Sequence, residues 1–91
     1  MPKATRARPL PAEAGAACIE VDARGLRCPL PVLRARKVLA GLAPGALVAL
    51  TATDPMAAVD LPHFCAEAGH ELLEASPDGD GGTRYLIRKG G

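Results

Sequence analysis

The stretch Pro44-Gly45-Ala46-Leu47-Val48-Ala49-Leu50-Thr51-Ala52-Thr53-Asp54-Pro55 decides the architecture of the chain. Ala46 to Ala52 is a short, nearly unbroken apolar run between turn signals, the pattern of a central strand covered by helices on at least one face. Asp54 can satisfy the first free N–H groups of a helix, and Pro55 suits a first helical position where its missing N–H costs nothing. A strand that turns directly into a capped helix is the core of a βαβ unit.

The rest of the chain reads outward from that unit. Cys18-Ile19-Glu20-Val21-Asp22 alternates apolar and acidic residues and predicts a half-buried strand. Residues 23–29 form a loop, and Pro31 opens a helix whose Val32, Ala35, Val38, Leu39 and Leu42 share one side, away from Arg34 and Lys37. Gly41 to Gly45 ends it. In the helix after Asp54, Pro62 predicts a kink or a restart at Asp60, with Gly69 as the stop. Glu71 to Ser76 and Thr83 to Lys89 read as strands joined by a loose loop, Pro77 to Gly82. The order is βαβαββ. The expected fold is α/β: a two-layer α/β sandwich, a four-stranded mixed sheet with two helices on one face.

The chain has 91 residues, enough for one small domain. Residues 1–17 have three prolines, many small residues and no apolar period, and are expected to be a flexible N-terminal extension to a domain spanning 18–91. Eleven basic and ten acidic side chains give a net charge of +1. Tyr85 and Phe64 are the sole aromatics. Neither charge nor stacking surface favours direct nucleic-acid binding. No apolar run reaches membrane-spanning length and no signal-peptide h-region follows the N-terminus, so no membrane association is expected. Three cysteines, an odd number, do not make a disulfide framework, and a reducing cytoplasm is the expected location.

The chemistry concentrates in Arg24-Gly25-Leu26-Arg27-Cys28-Pro29-Leu30-Pro31. Cys28 stands just before a helix N-terminus. Across residues 24–37 every other ionisable side chain is cationic: Arg24, Arg27, Arg34, Arg36 and Lys37. A helix dipole and cations lower a thiol pKa, so Cys28 is expected to be a reactive thiol within a cationic collar, with Arg24 and Arg27 stabilising the thiolate. A core cysteine would sit in an apolar strand or helix face, as Cys65 does beside Phe64. Cys18 opens a strand and reads as structural or partly exposed. Asp54 has a complete explanation as a helix cap; an accessory role would require its turn to lie beside Cys28. His63, Cys65 and His70 match no common zinc spacing, and neither a metal nor a cofactor is expected. The glycines of 79–82 lie in a hairpin rather than between a strand and a helix, so they make no phosphate loop.

These residues are familiar. Gly25-Leu26-Arg27-Cys28-Pro29-Leu30-Pro31-Val32-Leu33 resembles the Cys-Pro-x-Pro motif of the TusA/SirA family of small sulfur-carrier proteins. The resemblance continues through Ala52-Thr53-Asp54-Pro55, Asp60-Leu61-Pro62-His63-Phe64-Cys65, Gly69-His70-Glu71-Leu72 and Tyr85-Leu86-Ile87-Arg88-Lys89, covering about residues 19–89. It implies the same βαβαββ sandwich and a sulfurtransferase in the limited sense of a relay protein. The motif cysteine, Cys28, would carry sulfane sulfur as a persulfide, with Pro29 and Pro31 as the motif prolines. It implies a cysteine desulfurase or rhodanese-type donor and a downstream acceptor protein, in tRNA thiolation, sulfur oxidation or cofactor biosynthesis. Two other readings compete: a thiol redox protein pairing Cys28 with Cys65, and a non-catalytic regulatory interaction module docking through Arg24–Lys37.

Overall fold

The computed structural model describes residues 18–79 and 81–91; the extension expected over 1–17 lies outside them. The elements follow the expected order: β1 (Cys18–Ala23), α1 (Leu30–Ala40), β2 (Leu47–Ala52), α2 (Ala57–Ala68), β3 (Glu71–Asp78) and β4 (Gly82–Arg88). The sheet runs β1-β2-β4-β3. β1 and β2 are parallel, and β4 is antiparallel to both β2 and β3. The apolar run therefore occupies an interior position, as its composition demands.

Alternation along the strands assigns the layers. Val21, Val48, Leu50, Tyr85 and Ile87 point to one face and share a single core with Ala35 and Leu39 of α1 and with Ala57, Leu61 and Cys65 of α2. Both helices thus cover the same face. Each helix buries residues four apart, Pro31, Ala35 and Leu39 in α1 and Ala57, Leu61 and Cys65 in α2, the row that faces a neighbour on a 3.6-residue helix. Val32, Val38 and Leu42 pack against the edge of this core. The opposite sheet face carries ion pairs, Arg84 to Glu20 at 2.8 Å and Arg88 to Glu71.

Three local expectations are corrected. Of the two alternatives at Pro62, the restart at Asp60 is overturned: α2 runs as one helix from Ala57 to Ala68 with Pro62 inside. The chain ahead of it is already wound, with Ala57 N–H donating to Asp54 O (3.0 Å) and Ala58 N–H to Pro55 O (3.2 Å). A proline in the second turn then forgoes one backbone bond in a helix otherwise held by its buried face. Gly69 ends α2 as expected, at φ +81°, a conformation open to glycine at little cost.

The second correction concerns Pro77 and Asp78, which belong to β3 and pair with Thr83 and Gly82 rather than lying in a loop. β3 is an edge strand, where a proline need not supply a ladder N–H. The same strand has a register irregularity between Leu72 and Glu74. The third is the cap at Asp54, which belongs to the site.

Candidate functional site

β1 and β2 are parallel, so their C-terminal ends, and the turns that lead into α1 and α2, lie at one edge of the sheet. That is where an open α/β sheet gathers functional groups. The two turns are tied together by side chains of the second. Gly25, at φ +78°, donates its N–H to Thr53 Oγ1 at 2.9 Å. Cys28 N–H donates to Asp54 Oδ2 at 2.5 Å. The Cys28–Pro29 peptide is cis. α1 begins at Leu30 with Pro31 in its first turn, leaving Cys28 exposed immediately before it.

Asp54 is not the N-cap of α2. The helix starts at Ala57 and Met56 occupies the cap position without a side-chain bond. Asp54 Oδ1 instead accepts the Met56 N–H at 3.0 Å, an Asx turn that has the same Asp-Pro signature as a cap. With one oxygen on Met56 and the other on Cys28, its carboxylate spans both turns. The backbone N–H groups of Met56 and Cys28, with the Arg27 charge, hold its pKa below the ordinary value. The sign of the linkage follows. A carboxylate whose folded pKa is depressed stabilises the fold above its unfolded value of about 4, and that contribution is lost as pH falls through the folded value. Asp54→Asn is expected to be less stable than the parent at neutral pH, with the difference shrinking in acid; urea melts at the two pH values check this.

The thiol has a partner that linear sequence did not suggest. Cys28 Sγ donates to Asp60 Oδ2, in the first turn of α2, at 2.7 Å. The electrostatics expected at Cys28 are reversed by this contact. Its pKa is raised, first by the hydrogen bond to Asp60, then by desolvation and by the charges of Asp60 and Asp54. The charges that shift it are those of Asp60 and Asp54. Arg24, assigned to the thiolate, donates to Asp78 at 3.2 Å and lies 3.5 Å from Asp22. Arg27 faces Asp54. The physical reason is that carboxylates from the acidic stretch beginning at Asp54 fold back onto the cysteine, Asp54 onto its N–H and Asp60 onto its sulfur. Asp60 carried one signal in the sequence: its position in the Asp60–Cys65 block. Its chemistry depends on a contact across 32 residues.

A groove of about 600 Å³ runs from this thiol between the two helices, lined by Cys28, Asp60, Val32, Arg36, His63 and Phe64 among others. His63 lies 3.6 Å from Glu67. His70 stands beyond the helix, its Nδ1 accepting the Gly90 N–H at 3.0 Å and its ring 5.6 Å from that of Phe64. Cys65 is 2% exposed and burial raises its thiol pKa, so disulfide exchange with Cys28 would require α2 to open. Cys18 is exposed at the start of β1. No described helix is long and apolar enough to cross a membrane.

Comparison with known proteins places this geometry. A family model described as Sulfurtransferase TusA matches residues 19–89. The crystal structure of a SirA-like protein from Desulfitobacterium hafniense is 30% identical, with a TM-score of 0.71, covering 80% of this chain and 99% of its own.

Proposed function

Since the chain belongs to the TusA sulfurtransferase family, whose members act in sulfur relays with other proteins, we propose that Cys28 is the sulfur-carrying residue. It accepts sulfane sulfur as a persulfide and passes it to an acceptor protein. The observation that carries this reading is the placement of Cys28: a free, exposed thiol at the edge where two βα turns meet, with its backbone held by Asp54 and its sulfur by Asp60. Cys65 is buried and Cys18 lies at the start of β1, so neither shares that environment.

An exposed carrier sulfur can be reached in turn by a donor, a cysteine desulfurase or rhodanese-type protein, and by the acceptor. Pro29 and Pro31 fix the chain on either side of Leu30, so the thiol is presented rather than left on a mobile loop. Arg34, Arg36 and Lys37 leave α1 strongly cationic beside the site, which favours encounter with acidic partner surfaces. A reducing cytoplasm suits a carrier that works through a free thiol. The acceptor pathway is tRNA thiolation, sulfur oxidation or cofactor biosynthesis.

Incubation with a cysteine desulfurase and free cysteine tests the assignment. Intact-mass and peptide mapping should show the protein gaining one sulfur atom on the Cys28 peptide, in a form removed by a reductant. Sulfur found on the Cys18 or Cys65 peptide instead would overturn it.

A further inference from the structure

The contact between Cys28 and Asp60 has the geometry of a proton transfer, and it rests on the carrier reading above. We propose that Asp60 is a catalytic residue of sulfur transfer: its carboxylate takes the proton of Cys28 Sγ as that sulfur attacks the outer sulfur of an incoming persulfide, and returns a proton to Sγ when the carried sulfur leaves.

The loading step balances without an oxidant. The donor is a persulfide, R–S–SH. A lone pair on Cys28 Sγ forms the new S–S bond to its outer sulfur, while the donor S–S bond breaks with its electron pair on the inner sulfur. The Sγ proton passes to Asp60 Oδ2 and on to the departing donor thiolate. The products are R–SH and Cys28–S–SH, with one S–S bond made and one broken. Unloading is the reverse: an acceptor thiol gives its proton to Asp60 as its sulfur takes the outer sulfur, the Cys28 S–S bond breaks with its electron pair on Sγ, and that proton passes from Asp60 to the departing Sγ.

Three observations support this role over a purely structural one. The carboxylate oxygen is 2.7 Å from the reacting atom itself, on a different element from the one that carries the cysteine. The Asp54 carboxylate already holds the backbone of the same residue, so Asp60 is not needed to fix the loop. Finally, the two carboxylates disfavour a free Cys28 thiolate. A sulfur that resists ionisation is seldom present as the attacking thiolate and is a poor leaving group, and proton movement coupled to S–S exchange relieves both. The other ionisable groups around the pair are Arg27 and Asp54 in the turns, Arg36 on α1, His63 and Glu67 on α2, and His70 and Lys89 at the far end of the groove. Lys89 Nζ is engaged by the Leu39 and Leu42 carbonyls, and His63 is paired with Glu67.

The test compares two reactions of the same sulfur. Alkylation of Cys28 by iodoacetamide needs the thiolate alone; loading from cysteine persulfide also needs a proton delivered to a departing thiolate. Asp60→Asn removes the charge that opposes ionisation, so its alkylation at neutral pH is expected to quicken several-fold and its alkylation profile to move to lower pH. Its loading rate, followed by mass spectrometry, is expected to fall by roughly 10²-fold, with Asp60→Glu recovering part of the loss. Loading that quickens in step with alkylation would overturn the proposal and leave Asp60 a charge that merely restrains the thiol. Wild-type protein that takes no sulfur on Cys28 from either cysteine persulfide or a desulfurase would overturn the carrier reading, and this proposal with it. Cys65 is an internal check on folding: buried in the native protein, it should stay unalkylated in Asp60→Asn, and Asp60→Ala provides a second variant if it does not.

Discussion

The Cys28→Ser protein is expected to take up no sulfur from a desulfurase, while Cys65→Ala loads as fully as the parent. The argument for the first half is chemical. Persulfide formation needs a sulfur nucleophile that also serves as a leaving group, and a serine hydroxyl at neutral pH is neither. The hydroxyl can still donate to Asp60, so the site should survive and the loss should be specific. The second half follows from burial: Cys65 sits in the core at 2% exposure, out of reach of a partner's active site. Alanine is the better replacement there, because serine would place a hydroxyl where the thiol now packs against apolar neighbours. Intact-mass measurement decides both. A sulfur adduct persisting on Cys28→Ser would mean that another thiol carries the cargo.

The largest effect on stability is expected from Leu61→Ala. Leu61 is 0% exposed and lies in the row of α2 that faces the sheet, between Ala57 and Cys65. Truncating a buried leucine to alanine costs about 2–5 kcal/mol, through lost transfer energy and the cavity left behind. Folded domains are stable by only about 5–15 kcal/mol, and small ones sit near the bottom of that range. A loss of this size should lower the melting temperature by about 10–30 °C. Thermal melting followed by circular dichroism measures it, and a drop of less than about 4 °C would show that the core collapses around the gap. Leu61 is also the residue after Asp60. Loosening it should widen the spread of Cys28–Asp60 geometries and make Cys65 accessible to alkylation, which ties the stability of the core to the state of the thiol.

The sequence carried most of the fold and one half of the site. The run from Ala46 to Ala52 with Asp54-Pro55 behind it was legible because burial, strand length and turn chemistry all act locally. The same holds for the loop around Cys28, where two prolines constrain the chain within a few residues. Asp54 was misread as a helix cap because a cap and an Asx turn use the same carboxylate on the same nearby N–H groups. What separates them is where helical pitch begins, at Ala57, and that depends on packing. The restart offered at Asp60 fails for a related reason: a missing N–H is a local penalty, while the buried row of Ala57, Leu61 and Cys65 that outweighs it is tertiary.

The charge reading failed more instructively. A window of cations around Cys28 predicted a lowered thiol pKa, but charge acts through space. The carboxylate bonded to the sulfur comes from α2, 32 residues along the chain, where the acids are. Summing charges along a segment gives its attraction for distant partners and says little about the proton on one atom within it.

A last consequence belongs to the far edge of the sheet. Pro77 and the register irregularity near Leu73 fall on β3, one of the two edge strands of the sheet among the described residues. An edge interrupted twice in this way is a poor template for another strand. A domain proposed to meet its partners at the helix-turn end therefore has some protection, along this strand, against growing into chains of its own copies. Smoothing that margin, for instance with Pro77→Val, is a direct way to ask how much crowding such a small protein tolerates before it aggregates.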